Sequence, residues 1–189
     1  MQIIDQILEL DKDLLVYLNN FGSPTWDSFW LVVTNKLTYI PLYVFLLYLM
    51  CKNLSKKAIL ILVLSLAGMI TFTDQITNLF KFGFERLRPC AQDGVLGLIR
   101  QSECWGYGFF SGHSSNTMAV AVFTILMLKL PNRKLIYLML PWSIVVGYSR
   151  IYLGLHYPLD VLCGLTFGVF SGFLFYTLFK YLERRLVVV

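Results

Sequence analysis

The chain contains only two histidines, His113 and His156, and both stand among residues suited to holding an anion. Ser111 and Gly112 immediately precede His113. Ser149-Arg150 stand ahead of His156, and Asp160 follows it after three intervening residues. Earlier in the chain, Lys81 and Arg88-Pro89 are separated by six residues. Lys81, Arg88 and Arg150 are three cations, and arginine meets phosphate oxygens with a bidentate fork while lysine supplies a compact charge. Backbone N–H groups at a helix start also favour phosphate, and a glycine there lets the backbone approach closely. An imidazole acts as a nucleophile or general acid near neutral pH. A carboxylate four residues after His156 can hold one ring nitrogen protonated and leave the other free to attack. Taken singly, each feature has a plain structural explanation: a His-x3-Asp hydrogen bond, a snorkelling cation, a Ser-Gly helix cap. Their joint occurrence points to an anion-processing site. In that reading His156 attacks phosphorus and His113 protonates the leaving oxygen. Lys81, Arg88, Arg150, Ser111 and the Gly112 amide stabilise the developing charge.

These residues can meet only if the surrounding elements bring them to one place. Hydrophobic residues make up 57% of the chain and charged residues 14%, well below the ~25% charged of an ordinary soluble domain. Mean hydropathy is +0.66. A hydrocarbon core of ~30 Å needs about 20 helical residues. The apolar runs predict spans over 25–51, 56–81, 113–130, 134–150 and 158–181, with a break near Asn35–Lys36 raising the count from five to six. The expected fold is all-α, a polytopic transmembrane bundle forming one domain over 1–189. Residues 1–22 carry apolar positions Ile3, Ile4, Ile7, Leu8, Leu14, Leu15 and Leu18 at roughly helical spacing, as expected of an amphipathic helix on the membrane surface, a frayed tail being the alternative. Acidic residues stand where a secretory signal needs a basic start.

The turns at 51–57 and 129–134 and the tail at 180–185 concentrate Lys52, Lys56, Lys57, Lys129, Arg133, Lys134, Lys180, Arg184 and Arg185. By the positive-inside rule they face the cytoplasm. The outer loop 82–112, the junction 151–157 and the outer ends of the spans then share the opposite side, where the residues of the anion-processing set converge. The net charge of +5 is accounted for by topology and anion binding. No basic stripe interleaved with aromatics indicates nucleic acid. Cys90 and Cys104 share the outer loop, where an oxidising compartment permits a disulfide, two free thiols being the alternative.

At these positions the chain resembles the type 2 phosphatidic acid phosphatase superfamily. Its signature runs Lys-x6-Arg-Pro, Pro-Ser-Gly-His and Ser-Arg-x5-His-x3-Asp. The first part stands here as Lys81 to Arg88-Pro89, and the third, complete, as Ser149-Arg150 to His156 and Asp160. The second stands as Phe110-Ser111-Gly112-His113, with Phe in place of Pro. The resemblance implies a helical bundle with its site near the outer membrane surface, a nucleophile at His156, an acid at His113 and phosphate ligands at the other positions. It also implies catalysis without metal or cofactor, in a bacterial inner (cell) membrane with the site facing the periplasm or exterior. The implied substrates are lipid phosphates or diphosphates: undecaprenyl diphosphate, phosphatidylglycerophosphate, phosphatidic acid or lipid A phosphates. No obligate protein partner is implied. Lipid-phosphate binding or transport without hydrolysis is the alternative, although it would not need the His-Asp pair and the second His. The soluble vanadate haloperoxidases that share the family's cradle are larger than this chain.

Beyond the signature, Asp74, Asn78 and Lys81 share one face of the second span. An ionisable residue inside a span marks function by default. Asp74 is therefore expected to support the site from below, through Asn78 or water, with a bond to backbone or Thr71 as the alternative. Trp105, Tyr107, Phe109 and Phe110 fit an interfacial aromatic belt.

Overall fold

The computed structural model describes residues 2–99, 106–128 and 138–187. Helix α1 (Gln2–Asn20) exposes Ile3, Ile4, Ile7, Leu8 and Leu14, the apolar face seen in the sequence. It docks on the protein through Asp11, Leu15 and Asn19, which continue the stripe of Ile4 and Leu8 at helical spacing. Helix α2 (Pro24–Thr34) starts with Pro24 at its first turn, where a missing N–H costs nothing. It ends at Asn35, whose side chain accepts from Leu37 N and opens a 3₁₀ turn over Lys36–Tyr39. Helix α3 (Ile40–Cys51) then continues at 62° to α2. The break thus falls where Lys36 interrupts the apolar run.

Helix α4 (Lys56–Phe84) has 29 residues, about 44 Å at 1.5 Å per residue. Ser55 caps its start, and Glu85 ends it in the left-handed conformation at φ 50°, the usual helix stop. The chain then turns through Arg86 to Pro89 and a short helix α5 (Asp93–Leu96). Helix α6 (Gly112–Leu128) is central, α7 (Met139–Tyr152) flanks it, and α8 (Pro158–Leu186) runs along it.

Helix α6 contacts α4, α7 and α8, so its buried residues are mainly small: Ser114, Ser115, Thr117, Ala119 and Ala121. Its closest approach is to α8. A Cβ built on Gly164, Gly168 or Gly172 would stand 2.5, 2.5 and 2.6 Å from the carbonyl oxygens of Ser111, Ser115 and Ala119. Those glycines recur every four residues on one face of α8, the small-residue device by which membrane helices approach closely. Deeper in the bundle, Met50, Ile61, Leu62, Met69, Ala119, Phe123 and Phe179 form an apolar cluster. Leu15, Val95, Ile151, Tyr157 and Val161 form a second one beneath α1.

Among the described residues, α4 and α8 are each long and apolar enough to cross a bilayer, and the bent α2–α3 pair makes a third candidate. Helix α6, with 17 residues, and the 14 residues Met139–Tyr152 of α7 fall short of ~20. Length and composition among the described residues thus support two or three spans and leave the expected five to six unconfirmed. The basic turn 129–134 lies outside the described residues.

Candidate active site

The junction between α7 and α8 carries His156. Gly154 adopts φ 65°, which a side chain would strain, and the chain folds back so that Leu155 N and His156 N both donate to Arg150 O, at 2.9 and 3.3 Å. His156 is thereby held against the end of α7 with only 2% of its surface exposed. Its Nδ1 lies 3.6 Å from Asp160 Oδ2, beyond hydrogen-bond length but within ion-pair range. Nδ1 faces the carboxylate, and Nε2 is the nitrogen left for chemistry. Burial lowers the His156 pKa from 6.5 to about 4, so the resting ring is neutral. Asp160 sits in the first turn of α8, accepting from Tyr157 N at 3.0 Å, while its carbonyl accepts from Ser111 N at 2.9 Å. That last bond ties the start of α6 to the start of α8.

Helix α6 brings Gly112 and His113. A Cβ at Gly112 would stand 3.9 Å from Lys81 Nζ, so the lysine ammonium lies at the N-terminus of α6. Ser111 is fully buried, and its Oγ accepts from Ser114 Oγ at 3.0 Å and from Ser114 N at 3.4 Å. Its hydroxyl acts here as a helix cap. Arg88 reaches the same region from the loop: a Cβ at Gly108 would stand 3.0 Å from Asp160 Oδ2 and 3.4 Å from Arg88 Cγ. Arg88 Nε donates to Tyr107 O at 3.3 Å. Arg150 is buried, with Nη1 donating to Thr34 Oγ1 at 2.5 Å, and Ser149 Oγ donates to Val146 O at 2.6 Å. Arg150, Lys36, His156 and Lys81 all act electrostatically on His113, and Arg88 and Arg150 act likewise on Lys81. The three signature segments therefore meet at one place.

Two buried site atoms find no hydrogen-bond partner among the described residues, Arg150 Nε and His156 Nδ1. A buried unsatisfied donor costs about 1–3 kcal/mol, and such groups persist where function needs them. An anion near Arg150 would satisfy the first.

Asp74 does not work through Asn78. Asn78 is exposed, whereas Asp74 Oδ1 accepts from Asn116 Nδ2 at 2.8 Å. Asn116 Oδ1 in turn accepts from Thr73 Oγ1. The reason is azimuthal: α6 packs against α4 on the Thr73–Thr77 side. Asn116 lies three residues after His113, so Asp74 still supports the helix that carries it. Thr71, the alternative partner, is likewise exposed.

Phe110 is buried, its ring 5.2 Å from those of Phe80 and Phe167, and so anchors the loop end between α4 and α8. Phe109 lines a cavity of about 570 Å³ together with Ile4, Leu8, Phe84, Arg86 and Tyr157. Trp105 lies outside the described residues. Cys90 is disulfide-bonded, and Cys104, its expected partner, also lies outside them.

Several contributors were not singled out by motif. Lys36 had a visible signal, a charge inside an apolar run. Thr34, Asn116, Asp11 and Arg86 had none. Arg86 Nη1 donates to Asp160 Oδ1 at 2.8 Å and Nη2 to Asp11 Oδ2 at 2.6 Å.

Comparison with known proteins identifies the family. The model of the PAP2 superfamily matches residues 57–184, and the chain belongs to that superfamily. It is 34% identical to a lipid A 4'-phosphatase of Bacteroides thetaiotaomicron over 97% of this chain and 83% of the relative. It is 29% identical to a lipid A 4'-phosphatase of Porphyromonas gingivalis over 96% of this chain and 78% of that one. The fold is similar to the crystal structure of a transmembrane PAP2 type phosphatidylglycerolphosphate phosphatase from Bacillus subtilis. The TM-score is 0.74 at 22% identity, covering 95% of this chain and 89% of the other.

Proposed function

We propose that the chain is a single-domain membrane lipid phosphatase that works through a phosphohistidine at His156 and needs no metal. The observation that carries this reading is the His156–Asp160 pair, buried at 3.6 Å, beside a cluster of Lys81, Arg88 and Arg150. A neutral His156 Nε2 forms an N–P bond as the P–O bond to the lipid breaks, and His113 delivers its proton to the departing oxygen. Asp160 stabilises the positive charge that develops on the His156 ring, as an orienting carboxylate does in a catalytic triad. Water then attacks phosphorus, His113 takes its proton, the N–P bond breaks, and inorganic phosphate leaves with His156 neutral again. The three cations and the Gly112 N–H stabilise the equatorial oxygens throughout.

The substrate we favour is the 4'-phosphate of lipid A, because both lipid A 4'-phosphatases align along nearly the whole chain. Such a substrate places the site on the outer face of a bacterial inner membrane, as the basic turns also indicate. A Cys90–Cys104 disulfide would fit the same topology; closing a loop of about 15 residues would contribute about 3 kcal/mol.

Purified protein in detergent with EDTA, offered lipid A, phosphatidylglycerophosphate, phosphatidic acid and undecaprenyl diphosphate, should release phosphate fastest from lipid A. His156→Ala should release none. Activity surviving in His156→Ala removes the nucleophile assignment. Loss of activity in EDTA removes the metal-free mechanism. No release from any lipid favours binding or transport.

A further inference from the structure

We infer that Arg86, anchored by Asp11 of the N-terminal helix, is a positioning residue that sets the Asp160 carboxylate against His156. The inference rests on the histidine mechanism proposed above and extends it to two residues that carry none of its steps.

Arg86 lies between Lys81 and Arg88, yet its guanidinium is engaged by carboxylates. One nitrogen bonds Asp160 Oδ1 at 2.8 Å and another bonds Asp11 Oδ2 at 2.6 Å. Its guanidinium carbon stands 4.1 Å from the centre of the Tyr157 ring, the residue next to His156. The backbone of Arg86 is fixed as well. Its carbonyl accepts from Gly108 N at 2.8 Å, and Leu87 bridges Tyr107 across the loop. Asp11 is fixed from its other side, with Oδ1 accepting from Leu159 N at 2.8 Å.

The consequence falls on Asp160. Oδ1 is taken by Arg86 and Oδ2 by Tyr157 N at 3.0 Å. A carboxylate bonded at both oxygens to two different elements cannot rotate, and Oδ2 is left facing His156 Nδ1. The side chains of Asp160 and Asp11 are 0% and 1% exposed, so their charges are little screened by water. Removing the shared cation would leave two acids buried without their partner, a situation proteins relieve by moving or neutralising one of them. Either response would displace or discharge the group that must stabilise the His156 imidazolium.

A purely structural staple between α1 and α8 would produce the same contacts, and the two roles part in kinetics. The assay is phosphate release from lipid A micelles by the full-length protein, with folding followed by thermal melts. Arg86→Gln should lower kcat roughly 10- to 100-fold, the range for losing a group that orients a reacting side chain. KM should stay near the wild-type value, because no substrate contact is removed. Arg86→Lys should recover part of kcat, since one ammonium cannot bridge both carboxylates as the planar fork does. The double variant Asp11→Asn with Arg86→Gln removes one acid along with the cation. It should fold better than Arg86→Gln alone and stay equally slow. Wild-type kcat in a folded Arg86→Gln or in the double variant overturns the inference. If neither folds, Asp11→Asn decides: a several-fold lower kcat supports the role, and an unchanged kcat overturns it. Activity that requires His156 but ignores Arg86 defeats this inference alone. Activity that ignores His156 defeats the mechanism beneath it.

Discussion

Substituting alanine at Gly164 and at Gly172 separates the stability of the α6–α8 seam from its role in aligning the site. The two positions are similarly tight: the new methyl would stand 2.5 Å from Ser111 O in one and 2.6 Å from Ala119 O in the other. Both fall about 0.9 Å short of the 3.4 Å at which ordinary contact begins. The obstructing atoms are backbone, so the helices themselves must part. Overpacking of this kind costs about 1–3 kcal/mol, offset in part by the ~1 kcal/mol better helix propensity of alanine. Each variant should therefore melt a few degrees below wild type in detergent. Activity should divide them. Gly164 presses on Ser111, whose N–H bonds Asp160 O, and a shift there moves the helix bearing His113 against the helix bearing Asp160. Gly172 lies eight residues further, about 12 Å along α8. A misplacement near 1 Å can cost about 100-fold in rate. Gly164→Ala should accordingly lose roughly 10- to 100-fold in kcat/KM, while Gly172→Ala stays within a few-fold of wild type. Wild-type kcat/KM in Gly164→Ala, or equal losses in both folded variants, would refute the view that this seam sets the catalytic geometry.

The burial of His156 has a pH signature. With its pKa lowered to about 4 from 6.5, the unfolded chain binds a proton at this group before the folded one does. Its contribution to stability is therefore full above 6.5 and declines as pH falls towards about 4. Melts of wild type should fall more steeply than those of His156→Asn across that window, and the acid limb of kcat/KM should lie well below 6.5; parallel melts with a limb at 6.5 would count against the neutral buried ring. Asn19 is fully buried, and its Nδ2 donates to Ile151 O at 3.0 Å and Tyr152 O at 2.8 Å. Asn19→Ala leaves those carbonyls without their side-chain donor and should destabilise the protein by about 1–3 kcal/mol, measurable as a lower Tm and faster proteolysis of α1.

The candidate chemistry-bearing residues were legible in the sequence because their spacing is local. Ser111-Gly112-His113 must open a helix, and His156 must precede Asp160 by one turn. Apolar runs long enough to be read also located α4 and α8, and Lys36 marked the break between α2 and α3. Periodicity says which face a residue occupies but not which neighbour that face meets. Asp74 was placed on the right stripe of α4, yet its partner is Asn116 on α6, found only once α6 settles against Thr73 and Thr77. The same limit hid Arg86. As a residue between two signature cations it reads as one more phosphate ligand or a snorkelling side chain. Its partners lie 75 and 74 positions away, at Asp11 and Asp160. The amphipathic helix showed its apolar face, while the stripe that docks it carries Asp11 and Asn19, polar residues that ordinarily face water. Local spacing thus determined which groups could do chemistry. Only the packing of α1, α6 and α8 decided how the acid at Asp160 is aimed, because that aim depends on contacts between segments far apart in the chain.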